Sequence, residues 1–151
     1  MCKPLRELSA AMLYDIMHVR CAVFIVEQTC PYLDTDNLDK LPSCLHLAAL
    51  DDDQSIVAYA RLLGPGSKGS KQKWPMIGRV VIAPAHRGQG VGKILMEKAI
   101  AECRRAWPKQ PIEISAQAHL EAFYKSLGFN TTSEPYDDDG ILHIDMVLNA
   151  E

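Results

Sequence analysis

The sequence predicts a single α/β domain over residues 1–151, built on a mixed, mostly antiparallel sheet with a parallel strand pair at its centre and helices on its flanks. Three features carry that expectation. Two apolar runs, Leu45–Leu50 and Ile56–Leu63, flank the polar stretch Asp51-Asp52-Asp53-Gln54-Ser55 and read as a β-hairpin. A strand-like run at 76–82, an amphipathic helix from about Gly90 and a second apolar run at Ile112–Ala116 require a right-handed crossover between parallel strands. Two last runs, near Phe129–Ser133 and Leu142–Leu148, return the chain to antiparallel pairing.

In chain order, Ser9 is placed to N-cap a helix carrying Leu13, Ile16, Met17 and Arg20. The apolar run 22–26 either continues that helix or runs extended; periodicity does not distinguish the two. A polar, proline-containing loop extends from there as far as Pro42. The aspartate triplet reads as a solvated turn. Gly64–Lys73 reads as a flexible basic loop, too short to link domains. In the helix from Gly90, Val91, Ile94, Leu95, Ala99 and Cys103 share one face, and Pro108 closes it. Ala118–Leu127 forms a final helix with Gly128 at its C′ position, where a left-handed backbone is cheap. Met12, Met17, Met76, Met96 and Met146 fall at core spacings. His18, His46 and His86 read as structural, and Trp74 and Trp107, beside prolines, seal loop edges.

Composition excludes several classes. Apolar residues make up 48% of the chain and charged ones 23%, the balance of a globular domain with a real core. A net charge of −3 gives no electrostatic case for nucleic acid. The start lacks an apolar h-region and no apolar stretch is long enough to span a bilayer, so no membrane association and a cytoplasmic location are expected. The five cysteines are odd in number and form no C-x-x-C pair, which reads as free thiols in a reducing compartment. Cys44-x-His46 is half a metal site without a second half, and no metal is expected.

The functional signal is concentrated in Val80-Val81-Ile82-Ala83-Pro84-Ala85-His86-Arg87-Gly88-Gln89-Gly90-Val91-Gly92. A strand that ends in a glycine-rich turn and opens a helix leaves backbone N–H groups at the positive end of a helix dipole, which suits a phosphate or pyrophosphate. Glycines let that backbone approach a ligand without Cβ atoms in the way. Arg87 adds a cation at the mouth, and Lys93, Lys68, Lys71 and Lys73 are further candidates. A P-loop needs glycine where Arg87 stands and Ser or Thr where Ile94 stands. A dinucleotide fingerprint starting at Gly88 needs glycine where Lys93 stands. Both fail.

What remains, Arg87-x-x-Gly90-x-Gly92, resembles the acyl-CoA pyrophosphate loop of the GCN5-related N-acetyltransferases (GNAT). Ala122-Phe123-Tyr124-Lys125-Ser126-Leu127-Gly128-Phe129 looks like the late helix of that family, with its Tyr-x-x-x-Gly-Phe signature. Val26-Glu27-Gln28-x-Cys30-Pro31-Tyr32, Ala116-Gln117-x-His119 and Asp139-Gly140-Ile141-x-His143 are similar to the ElaA-like branch, and the likeness runs from about Leu13 to Met146. The resemblance implies a sheet whose two central strands splay apart to admit pantetheine. It implies acetyl-CoA as co-substrate, the primary amine of a small molecule as acceptor, and direct attack in a ternary complex. Fold analogy suggests at most a homodimer.

By the same resemblance, the backbone of Val80, Val81 and Ile82 aligns pantetheine and offers an N–H to the thioester carbonyl. Arg87, Gly88, Gln89, Gly90, Val91, Gly92 and Lys93 hold the pyrophosphate, and Tyr124 protonates the departing thiolate. The base that frees the amine is open between His119, His143 and Glu27. An imidazole titrates near neutrality, whereas a carboxylate needs burial to raise its pKa. Gln28 and Gln117 are candidate acceptor contacts, and Asp139 a candidate anchor for the ammonium. Asp34, Asp36, Asp137, Asp138 and Asp139 together suit a cationic acceptor such as a polyamine, or are simply solvated. Cys30 and Cys103 lack an evident base for a covalent route. An idle acyl-CoA-binding module and a protein lysine acetyltransferase are the alternatives on the same fold.

Overall fold

Helix formation begins where the sequence supplies a cap. In the computed structural model, which describes residues 1–151, the Ser9 hydroxyl accepts from the Met12 amide at 3.1 Å and opens α1 (Ala10–Arg20). The apolar run behind it continues the helix, in the wider i→i+5 winding of a π-helical segment at Cys21–Glu27. The Gln28 and Cys30 amides donate to the Val23 and Ile25 carbonyls, each at 3.1 Å. This segment buries Val23 and carries Phe24, Glu27 and Gln28 to the rim of a cleft.

The predicted hairpin forms from β2 (Cys44–Leu50) and β3 (Ile56–Leu63). Its turn is closed by the Asp51 carboxylate, which accepts from the Asp53 and Ser55 amides. A two-residue strand, β1 (Cys2–Lys3), pairs with β2; it is too short to leave an alternation pattern in the sequence. Next come β4 (Met76–Ile82), α2 (Val91–Ala106), β5 (Ile112–Gln117) and α3 (Glu121–Ser126). Three last strands, β6 (Asn130–Thr131), β7 (Tyr136–Asp138) and β8 (Ile141–Leu148), complete the chain. The sheet order is β1-β2-β3-β4-β5-β8-β6, with β7 also on β8, and only β4 and β5 are parallel. The expected mixed sheet is thus observed. No helix is long and apolar enough to cross a membrane.

Strand alternation divides the core in two. Ala58, Ala60, Leu62, Ile77, Ile114, Ala116, Ile144 and Met146 face α2 and α3, where they meet Leu95, Met96, Ala99, Ile100, Cys103, Tyr124 and Phe129. Ala48, Tyr59 and Val81 face α1 and meet Ile16, Val19 and Val23. Two expectations need correction. Ile94 is 67% exposed, because the buried face of α2 is centred on Met96 and Ile100. The Gly64–Lys73 segment is a series of fixed turns: buried Gln72 donates to the Gly64 and Trp74 carbonyls and accepts from the Lys68 amide.

On the α1 face the apolar pattern is broken by charge. Arg20 and Arg61 are fully buried, with Asp34 and Asp39 beside them. Arg20 bonds Asp34 at 2.8 Å and Asp39 at 2.6 Å; Arg61 bonds Asp36 at 2.8 Å and Asp39 at 3.2 Å; Arg79 bonds Asp34 at 2.7 Å. Asp34 is therefore not the solvated loop acid that the sequence alone suggested, and Asp36, although it lines the cleft, is bound by Arg61 and Arg79 and is not free for a cationic acceptor. They are counter-ions for arginines inside the protein.

Burial opposes ionisation of Asp36, but the hydrogen bond and charge of Arg61 outweigh it and hold the carboxyl at about 2, below its usual 3.8. Asp39 is lowered against the same opposition, by Arg20 and Arg61. Carboxylates depressed in the fold contribute stability that is complete above the ordinary pKa and is lost as pH falls through the folded value. Stability to urea should therefore decline as pH drops from 3.8 towards 2, and Asp36→Asn should flatten that decline. Arg20→Met, which strands two buried carboxylates, should lower unfolding free energy by about 3–5 kcal/mol. A loss below about 1 kcal/mol, the surface-pair range, would show that the network is not structural.

Candidate active site

The central strands part early. β4 and β5 are paired only at Met76↔Glu113 and Ile77↔Ile114. Beyond that point β4 stays with β3, while β5 stays with β8 as far as Gln117↔His143. The β5-facing edge of β4 is thus left without a partner strand over Val80, Val81 and Ile82, a template for an extended ligand. A cleft of about 680 Å³ runs along the gap and is lined by those three residues.

The divergence has a local cause. The register between β3 and β4 slips between Tyr59 and Arg61, and Arg79 takes a left-handed φ of 50°. A bulge of this kind bends one strand and re-aims the residues beyond it. Such a conformation is unfavourable for a side chain as large as arginine. It is held by Asp34, by Asp36 at 3.4 Å, by the Asp34 carbonyl at 3.2 Å, and by the Tyr32 ring beneath the guanidinium.

Chemistry-bearing groups approach the gap from both faces of the sheet. Tyr124 lies on the α2/α3 side in an edge-to-face arrangement with Phe123 and Phe129. Burial pushes its phenol up to about 12, so the hydroxyl keeps its proton at neutral pH. Gln117 and His143 are directly opposed on β5 and β8, out of phase with the buried Ala116 and Ile144, and so face the α1 side. The Gln117 amide donates to Gln28 Oε1 at 3.4 Å. His143 Nδ1 donates to the Ile141 carbonyl at 2.8 Å, and its Nε2 has no hydrogen-bond partner in the protein. The ring stacks on Tyr136, whose hydroxyl donates to Asp145 at 2.7 Å. His119, in a short turn ahead of α3, and Asp139, with φ 49°, line the same cleft.

The glycine-rich loop forms the outer lip. Gly88 and Gly90 have φ of 75° and 78°, and open space lies where their Cβ atoms would be. Gly90 is the N-cap of the sixteen-residue α2 and offers no side chain to the first amides, so these N–H groups and the helix dipole point outward. Val91 and Gly92 form the first turn, with Gly92 close to the Phe123 ring. Gln89 is exposed, and exposed Lys93 reaches only Glu97, at 3.9 Å. Arg87 is engaged: both its Nη atoms bond Glu27, at 2.6 and 3.0 Å, and its Nε donates to the Ile82 carbonyl. An anion at this lip would therefore meet chiefly backbone donors. The bond to Arg87 also holds the Glu27 carboxyl below its usual pKa.

Comparison with known proteins identifies the family to which this fold belongs. The family model for an acetyltransferase (GNAT) domain matches residues 32–150. This chain belongs to the GNAT acetyltransferases. Within them it is 45% identical to protein ElaA of Escherichia coli over 141 residues, 93% of this chain and 89% of that one. The crystal structure of E. coli ElaA superposes with a TM-score of 0.88 over 99% of this chain and 98% of that chain, at 40% identity. An acyl-CoA N-acyltransferase from Pseudomonas aeruginosa superposes with a TM-score of 0.90 over 98% and 97%, at 42% identity. The mixed sheet with its parallel β4–β5 pair is thus a GNAT fold.

The GNAT cleft also contains residues that the sequence did not single out for it: Phe24, Tyr32, Arg61 and Arg79. An arginine inside each of two apolar runs was the available signal, since a buried cation needs a partner. Of the basic loop only Lys68 lines the cleft, and it does so near Arg61 and Arg79, away from the phosphate lip where the sequence had grouped it. Cys30 lines the cleft too, but its thiol donates to the Asp139 carbonyl, and burial, then Asp139 and Asp138, raise its pKa. Asp39, Cys44 and His46 converge with ligand atoms within 4.8 Å of one another. Arg20 and Arg61 already bond Asp39, and His46 bonds Tyr59 and the Asp39 carbonyl, so two guanidiniums stand where a cation would have to enter.

Gly90→Glu places a carboxylate and a strained backbone at the lip. It should weaken acetyl-CoA binding by at least about tenfold, or 1.4 kcal/mol, in calorimetric titration. Unchanged affinity would move the phosphate site away from this loop.

Proposed function

We propose that this enzyme moves an acetyl group from acetyl-CoA to the primary amine of a small molecule, by direct attack within a ternary complex. The single observation that carries the reading is a two-sided cleft, with a protonated phenol on one face and an imidazole with a free Nε2 on the other. Acyl transfer from a thioester to an amine is helped by a proton acceptor for the attacking nitrogen and a proton donor for the departing sulfur, and these two groups can fill those roles.

The backbone of Val80, Val81 and Ile82 aligns pantetheine as an added strand and gives the carbonyl oxygen an N–H as negative charge develops on it. The amides of Gly88, Gln89, Gly90, Val91, Gly92 and Lys93 hold the pyrophosphate, with the Arg87 guanidinium beside them. His143 Nε2 takes a proton from the incoming amine, directly or through water. The amine nitrogen bonds to the carbonyl carbon, the carbon–sulfur bond breaks, and Tyr124 gives its proton to the departing thiolate. His119 also lines the cleft and is the alternative base, whereas Glu27 is the weaker candidate. Glu27 is paired with Arg87 and its carboxyl is a poorer proton acceptor for that reason. Gln28 and Gln117 orient the acceptor, and Asp139 lies where an ammonium would pass. The raised thiol of Cys30 supports direct attack over an acyl-cysteine, since the thiolate is the nucleophile.

Tyr124→Phe should lower kcat by about a hundredfold or more while leaving calorimetric acetyl-CoA affinity intact. His143→Gln should reduce kcat to a similar extent. Turnover is monitored as CoA thiol release, with the N-acetyl product identified by mass. Full turnover in Tyr124→Phe would remove the phenol from the mechanism, and full turnover in both variants would refute the two-sided assignment.

A further inference from the structure

The acceptor end of the cleft, remote from the glycine lip, holds a particular set of charges. The network is balanced within itself: Arg20, Arg61 and Arg79 are matched by Asp34, Asp36 and Asp39. Arg87 and Glu27 neutralise each other at the rim. Among the charged residues lining the cleft, this leaves Lys68 on one wall and Asp138 and Asp139 on the other. None of these three takes part in an ion pair. Lys68 sits at the open rim, yet burial lowers its pKa, and Arg61 and Arg79 add repulsion that Asp36 and Asp138 only partly offset. Its backbone is fixed by the Gln72 side chain, so the ammonium is presented by an ordered turn. Beside it, Arg79 uses Nε and Nη2 on Asp34 and Asp36, while Nη1 makes no hydrogen bond to the protein. Arg61, buried in the same wall, has an Nε without any acceptor.

We infer that the acceptor is an amine that also carries a carboxylate, with its anionic end bound between Lys68 and Arg79 and its amino end directed towards Asp138, Asp139 and His143. This rests on the acetyl-transfer reading above and narrows it to amino-acid-like acceptors. The charges of the cleft walls discriminate between anions. One uncompensated lysine beside an otherwise neutral network matches a singly charged carboxylate better than a doubly charged phosphate. A polyamine or another purely cationic amine could pair with Asp138 and Asp139 but would leave Lys68, which already faces Arg61 and Arg79, without a counter-ion. A carboxylate placed there would relieve that repulsion and receive charge-assisted hydrogen bonds from Nζ and Nη1.

The test uses matched pairs: α-amino acids against the amines left by their decarboxylation, such as phenylalanine against phenethylamine, with the aminophosphonic acids as a third set. Acetyl-CoA turnover should favour the amino acid in kcat/KM by at least about tenfold, the range of a charged hydrogen bond. Lys68→Met should bring each pair close to parity by raising KM for the amino acid, while calorimetric affinity for acetyl-CoA holds. Lys68→Arg should keep the preference. Three results would overturn the inference and leave the acetyl-transfer reading standing: preference for the decarboxylated amines, preference for the phosphonic acids, or an equal effect of Lys68→Met on both members of a pair. Failure to bind acetyl-CoA, or binding with no amine of any set acetylated, would remove the broader reading and this one with it.

Discussion

The cleft depends on a buried net of charge. Arg20 at the end of α1, Arg61 in β3 and Arg79 at the bulge of β4 share three aspartates supplied by one short loop, residues 34–39. Desolvating so many ions is costly, and their mutual attraction offsets the cost only when geometry is good and the remaining donors are satisfied. Here nearly all are, with Arg61 Nε the one buried polar side-chain atom left unpartnered. What the net provides is position. It joins a helix end, a loop and two strands at one point, and it anchors the residue whose left-handed backbone turns β4 away from β5. An apolar patch of similar volume could hold those elements together but would not aim the bulge.

That bend sets the division of labour. Once β4 and β5 part, the two faces of the sheet communicate through the gap. The α2/α3 face contributes an apolar wall and a phenol that burial keeps protonated. The α1 face contributes amides, carboxylates and an imidazole whose Nδ1 is held by a backbone carbonyl. In the proposed reaction a leaving thiolate and an attacking amine need opposite proton traffic, and the sheet keeps Tyr124 and His143 on separate faces. The π-helical segment belongs to the same design, because its wider winding brings Phe24, Glu27 and Gln28 to the rim while the end of α1 remains fixed by Arg20.

Much of this was legible in the sequence, and the boundary between what was and was not is physical. The β2–β3 hairpin, the β4–α2–β5 crossover, the Ser9 cap and the glycine lip are written in local patterns of period, capping and turn chemistry, and they appear where expected. The family motifs carried the fold class further than periodicity could. Long-range pairing was not legible. Asp34 and Asp36 looked like loop acids because their partners lie 14 to 45 residues away. Arg61 and Arg79, each set within an apolar strand, were the overlooked hint. Whether residues 22–26 continued the helix was undecidable, because five consecutive apolar residues carry neither the helical nor the strand period. Lys68 was grouped with the phosphate lip by its charge, and only the fold shows it near Arg61 and Arg79.

The most direct measurement is a crystal structure with acetyl-CoA bound. Pantetheine should lie along β4 at Val80–Ile82, the pyrophosphate against the amides of residues 88–93, and the thioester between Tyr124 and His143. Arg79 should keep its bonds to Asp34 and Asp36, so that the splay is present before and after binding. A ligand lodged elsewhere on the surface, or a bulge that forms only when acetyl-CoA arrives, would contradict a cleft held open by buried charge.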